Sequence, residues 1–334
     1  MTKAPVGILL IRLKSIGDVL LTLPAVAVIR ENFPGAKITF LTSAENMSLL
    51  RGFSEINEVI ALDRAALRSG NPLRVAPQFF SLLRRLRAGK FDLVVDFQGN
   101  GETGWLTRVT GARRRWGSVY NPGRGWAYTH RVTRAAKTHP ANGNVELLRQ
   151  CGLTISAPKN EFALPADALA AAQKYFAEHR LDPAGRTLFL QPFTSSPHKN
   201  WPLENFLALG RHWQAHGGQV IFGGGPADRE SLHPAVRAGF AVSAGVPLLV
   251  TGGLMKLSTL TVGGDTGATH LAVALGRRVV MLMHAQEPGS PHPFGQPGWT
   301  VVPEKNSNML EISLAAVRAA CNQAVNAPAG SAFC

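Results

Sequence analysis

The chain has 334 residues, 45% of them hydrophobic, a mean hydropathy of +0.03 and a formal net charge of +14. That length suggests two domains, and neither a membrane-length apolar run nor a signal-peptide pattern is present, so a cytoplasmic protein is expected. Cys151, Cys321 and Cys334 show no metal-ligand spacing or paired framework and read as free thiols, and the ten scattered histidines offer no metal cage.

In chain order, an apolar strand at 8–13 breaks into the turn Lys14-Ser15-Ile16-Gly17. Asp18 stands where a helix over 19–32 begins. A strand at 37–42, a helix near 45–52, a strand at 58–62 and a helix over 78–88 follow. Next come a strand at 91–97, a helix at 104–110 and a short strand at 114–118. Residues 121–142, rich in Gly, Pro, Arg and His, show no period and read as a long functional or mobile loop. A helix at 144–151 closes this half at Gly152.

Proline and glycine around a helix at 166–179 mark a connection. The alternation then restarts: strand 187–191, helix 203–215, strand 219–223 and helix 226–238. Residues 240–256 carry no clear pattern. Segments 260–264, 268–275, 278–283 and 299–302 and a helix at 312–324 complete the chain. Strands alternating with helices predict an α/β fold with mostly parallel sheets. The expected division is a first Rossmann-like domain over 1–165, a linker with a helix over 166–186, a second such domain over 187–325 and a frayed tail over 326–334. Two such units facing across a cleft would hold ligands there.

Four junctions carry candidate chemistry. Asp18 lies at the carboxyl end of the first strand, the rim where open α/β sheets bind ligands. It reads either as a helix cap or as a base. At 264–270 a strand ends in Asp265-Thr266-Gly267, then a helix opens carrying His270; small residues and a helix N-terminus suit an anion. Asp265 or Thr266 as a cap, and His270 as an interior histidine, are the alternatives. The segment 192–202, with Thr194, Ser195 and Lys199, suits a diphosphate through hydroxyl donors and a point charge, without Walker spacing. The glycine turn at 223–225, leading to Asp228 and Glu230, reads as a nucleoside-contacting or plain turn; Asp228 replaces the third glycine of a dinucleotide fingerprint.

Together the stretches IRLKSIGDVLLTLPA, FDLVVDFQGN, KNWP, FGGGPADRE and GGDTGATHLAVALG resemble glycosyltransferase family 9, the heptosyltransferases of lipopolysaccharide inner-core assembly. The resemblance runs from Ile8 to about Gly295. It implies the GT-B arrangement of two Rossmann-like domains, the first for the acceptor and the second for a nucleotide-activated sugar. It implies inverting, metal-independent transfer from ADP-heptose to a lipid-linked core sugar, with no cofactor. On it, Asp18 matches the general base and Lys199 the lysine near the donor phosphates. Thr194, Ser195, Gly224, Asp228, Asp265, Thr266, Gly267 and His270 fall on the donor side, and Arg12, Arg64 and Arg131 on the acceptor side. The chain departs from the family at Gln191-Pro192-Phe193 and at 283–288, the loop beside the donor phosphates. Another nucleotide sugar, or a non-catalytic polyanion binder, is the alternative.

The excess of Lys and Arg, dense at 84–87, 113–115 and 124–137, points to polyanions. The expected partners are a nucleotide-sugar donor, a phosphorylated lipid-linked saccharide and, peripherally, an anionic inner membrane. No nucleic-acid reader motif is visible, and a nicotinamide enzyme is disfavoured by the missing fingerprint after Leu13. A monomer is expected.

Overall fold

The computed structural model describes residues 4–64, 72–119, 122–157, 159–304 and 308–327. The chain divides between Asn160 and Glu161 into two compact units. In the first, β1 (Gly7–Ile11), α1 (Ile16–Leu20), α2 (Leu23–Asn32), β2 (Lys37–Ser43), β3 (Glu58–Leu62) and α3 (Pro72–Ala88) lead to β4 (Leu93–Asp96). Then come α4 (Gly101–Val109), β5 (Arg114–Val119), β6 (His130–Thr133) and α5 (Pro140–Gln150). The strands form one sheet in the order β3-β2-β1-β4-β5-β6, every neighbouring pair parallel.

The second unit contains α6 (Ala166–Glu178), β7 (Thr187–Gln191), α7 (Leu203–Ala215), β8 (Gln219–Gly224), α8 (His233–Arg237) and β9 (Ala241–Ala244). It continues with α9 (Leu248–Leu257), β10 (Leu260–Gly264), α10 (Gly267–Ala274), β11 (Val279–Leu282), β12 (Thr300–Val301) and α11 (Leu314–Asn326). Its parallel sheet runs β12-β11-β10-β7-β8-β9. Counted from the first strand of each unit, both sheets have the order 3-2-1-4-5-6 of the Rossmann fold, as expected for the α/β class. Side chains alternate across the second sheet: Leu188, Leu190 and Phe222 meet Trp201, Phe206 and Trp213 on one face. Phe189, Ile221 and Met281 meet Phe176 and Leu254 on the other. Burial on both faces explains why these strands read as unbroken apolar runs.

Several expectations change. The helix read over 19–32 is two helices, because a continuous one would need an N–H from Pro24; the ring instead sits at the start of α2 behind Thr22. The helix read near 45–52 is a pair of 3₁₀ turns, Ala44–Asn46 and Leu49–Gly52. The long loop at 121–142 contains a 3₁₀ turn, Pro122–Ala127, the edge strand β6 and the start of α5. An edge strand with one wet face, His-Arg-Val-Thr, has too little apolar content to announce itself. Pro234 likewise confines α8 to one short piece of the segment read over 226–238. The helix taken as a linker, α6, packs Ala172, Tyr175 and Phe176 against Phe189 and Leu254, so it is part of the second unit. Of the tail, residues from 328 onward, Cys334 included, lie outside the described residues.

Candidate functional site

In a 3-2-1-4-5-6 sheet the strand order reverses between the first and fourth strands, and the crevice at their carboxyl ends is the ligand-binding position. In the first unit that point lies between β1 and β4. The turn after β1 carries Asp18, and it is built from β4's own continuation. The Gln98 side-chain oxygen accepts hydrogen bonds from the backbone N–H of Leu13 (2.9 Å) and Lys14 (3.3 Å). The buried Arg12 donates to the Lys14 carbonyl (3.1 Å) and the Phe97 carbonyl (2.8 Å), and its Nη2 lies 2.7 Å from Asp18 Oδ1. Asp18 Oδ2 accepts the Ser15 backbone N–H at 2.9 Å. Asp18 is not the cap itself: it braces the first turn of α1 from the third helical position, with Ser15 as the cap, while its side chain stays 37% exposed.

Burial alone would raise the Asp18 carboxyl, but the Arg12 charge and the Ser15 hydrogen bonds outweigh it and hold it below its ordinary value. A depressed carboxyl is ionised throughout the physiological range, at some cost in basicity. Arg12, expected on the acceptor side, is only 7% exposed and turns donors onto two carbonyls and Asp18.

Two buried polar residues, Asp96 and Gln98, lie within FDLVVDFQGN, and neither stands among the candidates above. Asp96, the last residue of β4, is fully buried and accepts from Tyr128 Oη (2.7 Å) and the backbone N–H groups of Gln98 (2.8 Å) and Gly99 (3.0 Å). Burial pushes its carboxyl up, against those hydrogen bonds. Gly99 has φ +68°, and a Cβ there would stand 1.5 Å from the Ser118 carbonyl oxygen, so only glycine fits this turn. The signal was two polar residues closing an apolar strand. Tyr128 gave none, lying 32 residues away in a stretch without period.

The other two acceptor-side residues stand apart from Asp18. Arg64 is bound by Glu102 through two contacts, Nε to Oε1 at 3.3 Å and Nη2 to Oε2 at 2.9 Å. Arg131 lies on β6 in the row Ile11, Asp96, Gly117, Arg131, three strands from β1 or roughly 14 Å at ordinary strand spacing.

In the second unit the switch point lies between β7 and β10, and most of the remaining candidates gather there. Gly264 lets the two following loops meet: a Cβ on it would come 2.6 Å from Thr194 Cγ2. Asn200 Oδ1 accepts the Thr194 N–H (2.8 Å), and Thr194 Oγ1 donates to the Ser196 carbonyl (2.8 Å), folding the loop back on itself. Asp265 sits between two cations or potential cations, with Oδ2 3.3 Å from Lys199 Nζ and Oδ1 3.1 Å from His270 Nε2. Burial opposes ionisation of Asp265, yet His270 and Lys199 hold its carboxyl below the ordinary value. Thr266 caps α10 by accepting the Thr269 N–H at 3.2 Å, and the helix starts at Gly267 with its first amides free of intrahelical partners. His270 is 5% exposed, a buried residue with a partner.

Three donor-side residues, Gly224, Asp228 and Ser195, are placed differently. Asp228 Oδ2 accepts the Gly225 N–H at 2.7 Å and closes its own turn, and a Cβ on Gly224 would meet Leu232 Cδ1 at 2.8 Å. This favours the plain-turn reading, one strand away from β7 on the side opposite β10. Ser195 is exposed at the loop tip. Among the described residues no group of three or more His, Cys, Asp or Glu is placed to hold a metal ion.

The sequence model of glycosyltransferase family 9 (heptosyltransferase) matches residues 79–312. The chain is 25% identical to lipopolysaccharide heptosyltransferase 3 of Escherichia coli K12 over 299 residues, covering 85% of this chain and 83% of that protein. It is 24% identical to the lipopolysaccharide core heptosyltransferase OpsX of Haemophilus influenzae, covering 88% and 83%. Its fold matches a crystal structure of a family 9 glycosyl transferase from Veillonella parvula with a TM-score of 0.85 at 22% identity, covering 96% and 97% of the two chains. It also matches the Escherichia coli heptosyltransferase WaaC with ADP-2-deoxy-2-fluoro heptose at 0.77 and 20%, covering 95% and 99%. Two Rossmann-like sheets, each with charged and hydroxyl side chains at its switch point, accompany a family match over most of the chain: it belongs to glycosyltransferase family 9 and is a glycosyltransferase.

Proposed function

We propose that this glycosyltransferase moves a heptose from ADP-heptose to a lipid-linked acceptor of the lipopolysaccharide inner core, with inversion and without a metal ion. The observation that carries this reading is the partly exposed, ionised Asp18, held by Arg12 and Ser15 at a sheet switch point. Asp18 takes the proton of the acceptor hydroxyl as that oxygen attacks the anomeric carbon, and the bond from that carbon to the diphosphate breaks. General-base assistance of this kind contributes about 10²–10⁴-fold. Being depressed, the carboxyl is a weak base toward a ground-state alcohol. It becomes effective as the attacking oxygen gains positive character, and its permanent negative charge also favours the electron-poor sugar carbon.

The leaving ADP carries away negative charge, which the Lys199 ammonium and the N-terminus of α10 stabilise. Asp265 fixes Lys199 through one of its three donors, leaving two for phosphate oxygens. The relatives' names support the sugar and the acceptor class. The 283–288 loop, which follows β11 beside this site, differs from the family's usual sequence and favours a comparison of donors.

The test is turnover of Asp18→Asn with ADP-heptose, alongside wild-type assays with ADP-, GDP- and UDP-sugars and with a chelator. Turnover of the variant should fall about 10²–10⁴-fold with donor affinity retained. Near-normal turnover sinks the base assignment. Preference for another sugar nucleotide corrects the donor, and loss of turnover in chelator corrects the metal-independent step.

A further inference from the structure

We propose that the first unit docks on an anionic lipid surface through Phe80, Trp105 and Trp126, rimmed by Arg84, Arg87 and Arg108. The proposal rests on the reading above, in which the acceptor is lipid-linked, and it assigns the surface that meets the lipid.

Large aromatic side chains are seldom left in water, yet Phe80 is 67%, Trp126 58% and Trp105 38% exposed. They are neighbours in the fold. Phe79 stacks on Trp105, centroids 5.4 Å apart, and meets Phe80 edge-on at 6.1 Å, joining α3 to α4. Trp126 comes from the 3₁₀ turn Pro122–Ala127, which packs on α4 where Ala127 faces Gly104. Contiguous exposed apolar surface rimmed by polar groups marks an interaction site.

The rim decides the partner. Arg84 and Arg87 stand four and seven residues after Phe80, on the exposed stripe of α3, and Arg108 lies one turn after Trp105 on α4. All three are exposed and make no ion pair among the described residues. Helix α3 contains no acid, and the one acid of α4, Glu102, is taken by Arg64. Aromatic rings flanked by arginines match a bilayer interface, where the rings sit at headgroup depth and the guanidinium groups bind phosphates. Helix α4 begins three residues after Gln98, which braces the Asp18 turn, so a docked patch would bring that turn to the lipid headgroups.

The experiment uses the full chain with vesicles of phosphatidylcholine alone, and of phosphatidylcholine mixed with an equal amount of phosphatidylglycerol. Wild type should bind the mixed vesicles, and Arg84→Gln/Arg87→Gln should weaken this about 25-fold, fivefold per arginine. Phe80→Ser/Trp126→Ser should weaken it at least as much. Brominated lipid should quench wild-type tryptophan emission and lose that effect in Trp105→Phe/Trp126→Phe. Equal binding to both vesicle types, or loss through the arginine pair alone, overturns the proposal. So does a dimer in sedimentation that Phe80→Ser dissolves, since a second copy then covers the patch. Transfer to a soluble, delipidated acceptor should be unchanged in every variant. Docking without heptose transfer would reject the functional reading alone, and transfer without docking would reject this surface alone.

Discussion

Replacing Arg12 by Met separates a residue that positions the base from one that grips the acceptor. The side chain makes three polar contacts, at 3.1 Å to Lys14, 2.8 Å to Phe97 and 2.7 Å to Asp18. Methionine fills most of the stem's space and leaves the buried Phe97 carbonyl unpaired, at a cost of about 1–3 kcal/mol in folding stability. Asp18 keeps only its Ser15 contacts and swings. A misplaced catalytic group costs on the order of 10²-fold in kcat, with acceptor KM little changed.

The pH profile adds an independent readout. Asp18 is depressed below 3.8, so in wild type its contribution to stability and turnover is present above that pH and lost as pH falls through the lower folded value. Without Arg12 the carboxyl rises toward or above its ordinary value, and the acid limb of kcat should move upward. In an Asp18→Asn background the same change should cost little more, because the two act as one unit. Steady-state kinetics across pH, urea unfolding and the double-mutant cycle check these together. If acceptor KM rises more than about tenfold while kcat and the acid limb stay in place, Arg12 binds acceptor and the positioning argument is refuted. A lost charge-assisted contact of about 1.5–3 kcal/mol would produce that KM change.

Lys199→Ala should weaken donor affinity about 10–150-fold, the range for one charge-assisted hydrogen bond, as read by calorimetry with ADP; unchanged affinity removes Lys199 from the phosphate site. Asp265→Asn should leave the fold intact and release both Lys199 and His270, lowering kcat/KM roughly tenfold while flattening its acid limb; an unaltered pH profile would show that Asp265 does not orient them. Tyr128→Phe deletes a donor to a fully buried carboxylate and should cost about 1–3 kcal/mol in urea unfolding. Since Asp96 is raised rather than depressed, its unfavourable contribution grows as pH rises above the ordinary Asp value. The Tyr128→Phe deficit should therefore widen from acid to neutral pH, and a pH-independent deficit would contradict the assignment.

The thiols follow from burial alone. Cys151 and Cys321 are free and pushed up to about 12, so neither is a nucleophile near neutral pH.

What the amino-acid sequence determined by itself was local and periodic. Apolar runs of strand length, broken by turns and followed by helical spacing, were enough for two α/β units, because strands buried on both faces must be apolar throughout. Strands such as β7 and β10 could be bounded to the residue for that reason. The candidate side chains Asp18, Asp265 and Thr266 were legible because they interrupt apolar patterns just past strand ends, where a polar group has no packing role. What only the tertiary structure decided was partnership between distant positions. Nothing in the spacing joins Arg12 to its partners; β4 places the Phe97 carbonyl, and the turn places Asp18, against it. Asp228 read as a nucleoside contact or a plain turn, and its own turn closes on it. Asp96, Gln98 and Tyr128 are joined across two strands and a loop, and no spacing in the chain encodes that meeting. Pattern fixes which residues face the core, whereas a guanidinium's charge is spent on whichever acceptors the finished sheet brings within 3 Å of it.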